Sequence, residues 1–168
     1  SGRAAEALQA LQRIVHQLRL SLNEDKTHIR KLPEESFDFL GYTIGRCYRP
    51  QTGSAYVGTR PSRKSQQRVC RTISELTSCR WLPMEAEKLV ERLNRLRVGW
   101  SNYFKLGPVT KSYRAIEMHT CKRLRRWLCK KHKQSGKGIA RFPDEYLYQS
   151  LGLVRMQTLQ HGFPWAKA

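Results

Sequence analysis

Acidic residues are scarce. In 168 residues, 13 Asp and Glu stand against 32 Lys and Arg, giving a net charge of +19 and a pI near 10.3. A chain so unbalanced favours a polyanion as partner, nucleic acid first. Long apolar runs are missing too. None approaches the roughly 18 to 20 residues that a membrane span needs, and Ser1-Gly-Arg-Ala-Ala-Glu6 lacks the apolar centre of a secretory signal. No membrane role is expected. Cysteine is present in odd number, five, without a Cys-x-x-Cys pair. This argues against a disulfide scaffold or a zinc ribbon and for a reducing, cytosolic setting. Internal repeats and low-complexity segments are absent, and the length is enough to bury a core without staples.

The charge that is present lies unevenly. Residues 1–59 hold 8 Lys/Arg and 6 Asp/Glu, whereas residues 60–168 hold 24 and 7. Two parts with different work are expected, 1–59 nearly neutral and 60–168 strongly basic.

Hydrophobic periodicity predicts the elements. Ala4, Leu8, Leu11, Val15 and Leu18 share one face of a helix over Ala4–Leu20. Leu20-Ser-Leu22 and Lys26-Thr-His-Ile29 read as short strands about the turn residues Asn23-Glu-Asp25. Phe37–Ile44 reads as a strand that pairs with Ser54–Val57 across Pro50-Gln-Thr-Gly53. Gly41 inside that strand marks a bulge, a close ligand approach, or merely a weakened strand. Pro61-Ser62 opens a basic helix to Ser78 with Val69, Ile73 and Leu76 inward. Trp81-Leu-Pro83 breaks it. The next helix carries Leu89, Leu93, Leu96, Trp100 and Tyr103 along one face, with Arg92, Arg95 and Arg97 projecting elsewhere, and ends at Gly107-Pro108. From Thr110 to about Lys131, Tyr113, Ile116, Thr120, Leu124 and Trp127 line the inner face of another helix. Asp144–Ser150 is a short helix with Tyr146 and Leu147 inward, and the apolar tail from Leu151 to Trp165 packs down. The fold class is α+β: a helix with short antiparallel strands and a hairpin, then a mainly helical bundle.

Two groups of cations stand out as candidates for phosphate contacts. One is Arg63, Lys64, Arg68 and Arg71. The other is Lys122, Arg123, Arg125, Arg126, Lys130 and Lys131, six cations with no acid among them. Mutual repulsion would disfavour such a run on an ordinary solvated helix. Tyr48, Tyr56, Trp81 and His132 are candidates for base stacking, with ordinary packing as the alternative. A zinc site from His119, Cys121, Cys129 and His132 fails on spacing, because on one helix these side chains spread over several turns.

Three stretches in order, Leu20-Ser-Leu-Asn-Glu-Asp-Lys-Thr27, Phe37-Asp-Phe-Leu-Gly-Tyr42 and Gly99-Trp-Ser-Asn-Tyr-Phe104, resemble the C-terminal part of a group II intron-encoded reverse transcriptase/maturase. The first two resemble the last blocks of the reverse transcriptase palm, the third the core of the maturase-specific (thumb, or X) domain. The ending Arg141-Phe-Pro-Asp, Leu151-Gly-Leu-Val and Phe163-Pro-Trp-Ala-Lys-Ala168 resembles bacterial members that stop after the thumb, so Ala168 is expected to be a natural terminus. The resemblance implies a palm remnant over 1–59 and an RNA-binding maturase domain over 60–168. It further implies intron RNA and a template-primer duplex as partners, with Lys26, Gly41 and Tyr42 near the duplex.

The family's Tyr-Ala-Asp-Asp carboxylates, which hold Mg²⁺ for two-metal phosphoryl transfer, are missing from this sequence. No catalytic residue, metal ligand or cofactor is therefore expected in this chain, Mg²⁺ belonging to the full-length polymerase. A split enzyme completed by an N-terminal reverse transcriptase fragment is one alternative, a generic basic RNA-binding protein another.

Overall fold

The computed structural model of the chain describes residues 2–23, 27–49, 51–136 and 138–162. Helix α1 (Gly2–Gln17) leads by an irregular segment to strands β1 (Phe37–Phe39), β2 (Tyr42–Tyr48) and β3 (Ala55–Pro61). Helices α2 (Arg63–Leu76), α3 (Ala86–Tyr103) and α4 (Thr110–Lys131) follow, then a π-helical turn at Tyr146–Ser150 and a 3-10 segment at Met156–Gly162. The class is α+β, as expected.

The sheet is an antiparallel meander in the order β1-β2-β3. Phe39 stands opposite Tyr42, Tyr42 opposite Pro61, and Tyr48 opposite Ala55. The stretch Phe37–Ile44 is thus not one strand. Leu40 and Gly41, at φ +49° and +82°, form a two-residue turn of the kind whose twist matches a tight hairpin, in which glycine is favoured. Gly41 is a turn residue rather than a bulge. A Cβ there would come within 2.9 Å of the Phe104 ring, so the turn can sit against the bundle only without a side chain.

Leu20-Ser-Leu22 and the described residues Thr27–Ile29 join no ladder. Strand propensity alone does not make a strand without a partner edge. The predicted apolar face of α1 is also largely unfilled: no residue of the helix is buried, Leu11 and, just past the helix, Leu18 are exposed, and Leu8 and Val15 are only half-buried.

The bundle carries the core. Ser62 caps α2, its Oγ accepting from the Ser65 N–H at 3.2 Å, and Val69 and Ile73 turn inward. Against them pack Leu89, Val90 and Leu93 of α3 and Tyr113, Ile116, Leu124, Trp127 and Leu128 of α4. The C-terminal segment closes the open side with Leu147, Leu151, Leu153 and Met156. Asn94 fastens it, donating to the Gly152 carbonyl at 2.8 Å and accepting from the Val154 N–H at 2.9 Å. The last part of the predicted tail, Phe163–Trp165, lies outside the described residues.

The α3 stripe is rotated from the sequence expectation. Leu89 and Leu93 are buried, but the line continues through Arg97 and Ser101, while Tyr103 is 54% exposed. Arg97, expected to project away, is only 1% exposed. Its partner is Glu117 of α4, with Nη2 3.8 Å from Oε1.

Candidate nucleic-acid interface

The sheet meets the bundle at one joint, held by a reciprocal pair of tyrosines. The Tyr42 hydroxyl donates to the Tyr103 carbonyl at 2.6 Å, and the Tyr103 hydroxyl donates to the Leu40 carbonyl at 3.0 Å. Tyr42 also stacks on Phe104 at 5.0 Å between ring centroids, and its burial raises the phenol above its usual range. Behind the joint, Tyr113 lies with its hydroxyl 3.0 Å from the carbonyl oxygens of Ser101 and Phe104. Desolvation pushes it up to about 12.

In front of the joint lies a groove of about 590 Å³. Leu96, Trp100, Tyr103 and Phe104 supply an apolar floor, Gly41 a bare backbone edge, and Lys64 and Arg68 a cationic rim. Trp100 Nε1 donates to Ser65 Oγ at 3.2 Å, which fixes the indole against α2. Gly41, Lys64 and Arg68, three of the sequence candidates, are brought together here. Tyr42 braces the joint from behind. Lys26 lies outside the described residues.

The four α2 cations share one outward face. Arg63, Lys64, Arg68 and Arg71 are all exposed, and none forms an ion pair among the described residues. The first turn of α2 holds no acid, so Arg63 and Lys64 sit at the end of the helix whose dipole favours anions. The arrangement opposes its own helix dipole and concentrates positive potential at that end.

The six α4 cations divide in two. Arg123 donates to Thr77 Oγ1 at 2.9 Å and to the Ser74 carbonyl at 2.8 Å, closing the C-terminal end of α2. Arg125 donates to the Phe142 carbonyl at 2.8 Å and pairs with Asp144. Lys131 donates to the carbonyls of Leu82 and Met84, at 3.1 and 2.9 Å, with its ammonium 5.4 Å from the Trp127 ring. Lys130 reaches Cys79 Sγ at 3.0 Å. Lys122 and Arg126 stand exposed with no such partner among the described residues. Much of the charge run therefore serves the fold. Its partners are mostly backbone carbonyls, which leave no mark in the charge pattern.

The stacking candidates are scattered. Tyr48 and Tyr56 are exposed on the hairpin, Trp81 lies under the Arg92 guanidinium at 5.2 Å, and His132 sits 5.9 Å from the Phe142 ring. The residues weighed for zinc are placed apart. Cys121 is 3.3 Å from the Tyr148 hydroxyl, and Cys129 is buried in the core cluster. No cluster of three ligating side chains that could hold a metal occurs among the described residues.

His119 occupies the seam between α2 and α4. Its Nε2 lies 3.0 Å from both the Cys70 carbonyl and Ser74 Oγ. A carbonyl only accepts, so Nε2 carries the proton. Burial lowers its pKa against the pull of the Cys70 carbonyl, and the Arg123 and Lys122 cations lower it further. The folded state thus prefers the neutral ring. Stability is full above the unfolded value near 6.5 and is lost as pH falls through the lower folded value. Urea midpoints are expected to drop between pH 7 and pH 5, and His119→Gln is expected to flatten that part of the profile.

Cys79 is the exposed cysteine of the five. The hydrogen bond and charge of Lys130 lower its pKa, while burial raises those of Cys70 and Cys121. A maleimide reagent is expected to modify Cys79 first, and Lys130→Met to slow that reaction. Mass spectrometry of partly labelled protein reads the order.

Residues 66–142, from the first turns of α2 to the segment that Arg125 anchors at Phe142, match the family described as the group II intron, maturase-specific domain. No curated protein sequence matches the chain significantly. No helix among the described residues is long and apolar enough to cross a membrane. Over residues 66–142 the chain is similar to the group II intron, maturase-specific domain.

Proposed function

We propose that the chain is an RNA-binding maturase region that holds group II intron RNA in its splicing-active form and, in the full-length enzyme, grips the template-primer duplex. The observation that carries this is the outward face of α2, where Arg63, Lys64, Arg68 and Arg71 stand exposed, without ion-pair partners among the described residues, beside the apolar joint groove. Phosphates neutralise such a face and release counterions in doing so. The aromatic floor and the bare edge at Gly41 suit the sugar edge of a duplex, with Lys64 and Arg68 on the flanking phosphates. Lys122 and Arg126 add a second contact face, and Arg123, Arg125, Lys130 and Lys131 support it mainly by holding α4 in place.

In this reading the RNA performs the splicing chemistry, and the protein contributes screening and shape. Residues 1–59 are the end of a reverse transcriptase palm and 60–168 the maturase domain. The exposed apolar side chains Leu11 and Ile14 of α1 and Leu18 just past it support a protein neighbour there, and an N-terminal reverse transcriptase fragment fits it.

The test is binding of the purified chain to its host intron RNA and to a size-matched structured RNA across a salt series. A preference for the intron that persists as salt rises supports the reading. Equal binding to both, collapsing with salt, leaves a generic basic RNA-binding protein.

A further inference from the structure

A second groove, of about 650 Å³, lies on the outward side of α4 and is separate from the joint. Met118, Lys122 and Arg126 line it from the helix, and Ile139 from the loop that follows, with His119 and Arg125 completing the wall. Its chemistry is mixed in a particular way. Met118 and Ile139 are 64% and 62% exposed, two large apolar side chains that contribute nothing to the core. Lys122 and Arg126 stand beside them without ion-pair partners among the described residues. Among the described residues no acid lines the groove. His119 is turned to α2, and Arg125 is spent on Phe142 and Asp144. That bond also fixes the far end of the loop, whose turn is closed by the Phe142 N–H on the Gly138 carbonyl at 2.9 Å.

We infer that this groove takes an unpaired nucleotide of the bound RNA, its base against Met118 and Ile139 and its flanking phosphates on Lys122 and Arg126. The inference rests on the RNA-binding reading above and adds to it a site for single-stranded RNA. A duplex presents sugar and phosphate outward and keeps its base faces stacked, so it can satisfy the cations but not the apolar pair. An unpaired nucleotide satisfies both. Lys122 and Arg126 lie four apart on one helix and so side by side, which suits consecutive phosphates of one strand.

The chain has three methionines, and their methyl groups can be labelled with ¹³C. Met156 is fully buried and Met84 half-buried, so Met118 reports on the groove. Oligoadenylate and a blunt RNA hairpin with the same number of phosphates are titrated against the full chain. Oligoadenylate is expected to move the Met118 methyl by ring current, and the hairpin to leave it in place. The double variant Met118→Ser, Ile139→Ser is expected to weaken oligoadenylate binding about five- to tenfold, with hairpin affinity and salt slope unchanged.

A Met118 signal unmoved by oligoadenylate, or moved equally by the hairpin, overturns the inference. So does a signal moved only by an acidic amphipathic peptide, which would make the groove a protein-docking site. Failure of the chain to bind the hairpin at all would instead strike at the RNA-binding reading. The two failures are therefore distinguishable.

Discussion

Glu117→Ala is expected to destabilise the chain by about 3 to 5 kcal/mol, the range for removing one partner of a buried ion pair. Arg97 is 1% exposed, and Glu117 is its one ion-pair partner among the described residues. Burial already lowers the Arg97 pKa, and Glu117 is the strongest opposing influence. Without the carboxylate, the guanidinium is left charged in the core. Glu117 Oε1 also accepts from the Tyr148 hydroxyl at 3.2 Å and the Met156 N–H at 3.3 Å, so the C-terminal segment loses an anchor in the same variant. Glu117→Gln separates the two effects, since the amide can keep both hydrogen bonds but not the charge. The double variant Arg97→Met, Glu117→Leu removes both charges and is expected to recover most of the loss. Urea unfolding with an unchanged m-value reads each of them. Against a total stability of about 5 to 15 kcal/mol for a typical domain, the single variant is near the threshold of folding.

Gly107→Ala is the second large effect, expected at about 3 kcal/mol from strain at positive φ and the displacement of packed backbone. Gly107 has φ +75°, and a Cβ there would collide with the carbonyl oxygen of Thr59 in β3. The connection between α3 and α4 passes so close to the sheet that only glycine fits. The sheet edge or the loop must move, and either motion opens the joint that Tyr42 and Tyr103 hold. Gly53→Ala is the comparison. It also has positive φ, at +67°, but its Cβ would meet nothing within 4 Å, so it is expected to cost about 1 kcal/mol from strain alone. The difference between the two isolates the collision with Thr59.

The sequence was most informative where periodicity decides. The bounds of α4 and its inner residues Tyr113, Ile116, Thr120, Leu124 and Trp127 are as expected, because a 22-residue amphipathic pattern has one consistent face. Arg97 departs from expectation because charge argues against burial, and the acid that permits it stands 20 positions away on another helix. The turn at Leu40-Gly41 was hidden because the aromatic and β-branched residues on either side of it read as one strand. The roles of Arg123 and Lys131 were out of reach, since their partners are backbone carbonyls brought near by the bundle. By contrast, the α2 face was legible as a site because its cations meet nothing local, which is also why it is available to a ligand.

The central claim is that this face binds phosphate. The measurement is the slope of log affinity against log salt for host intron RNA, compared between the unaltered chain and the variant Arg63→Ala, Lys64→Ala, Arg68→Ala, Arg71→Ala. All four residues are exposed and have no ion-pair partner among the described residues, and alanine is the better helix former, so the fold is expected to hold. The account predicts a slope shallower by about 3, from four contacts at roughly 0.7 to 0.9 each. An unchanged slope in a variant that unfolds at the same urea concentration would contradict it.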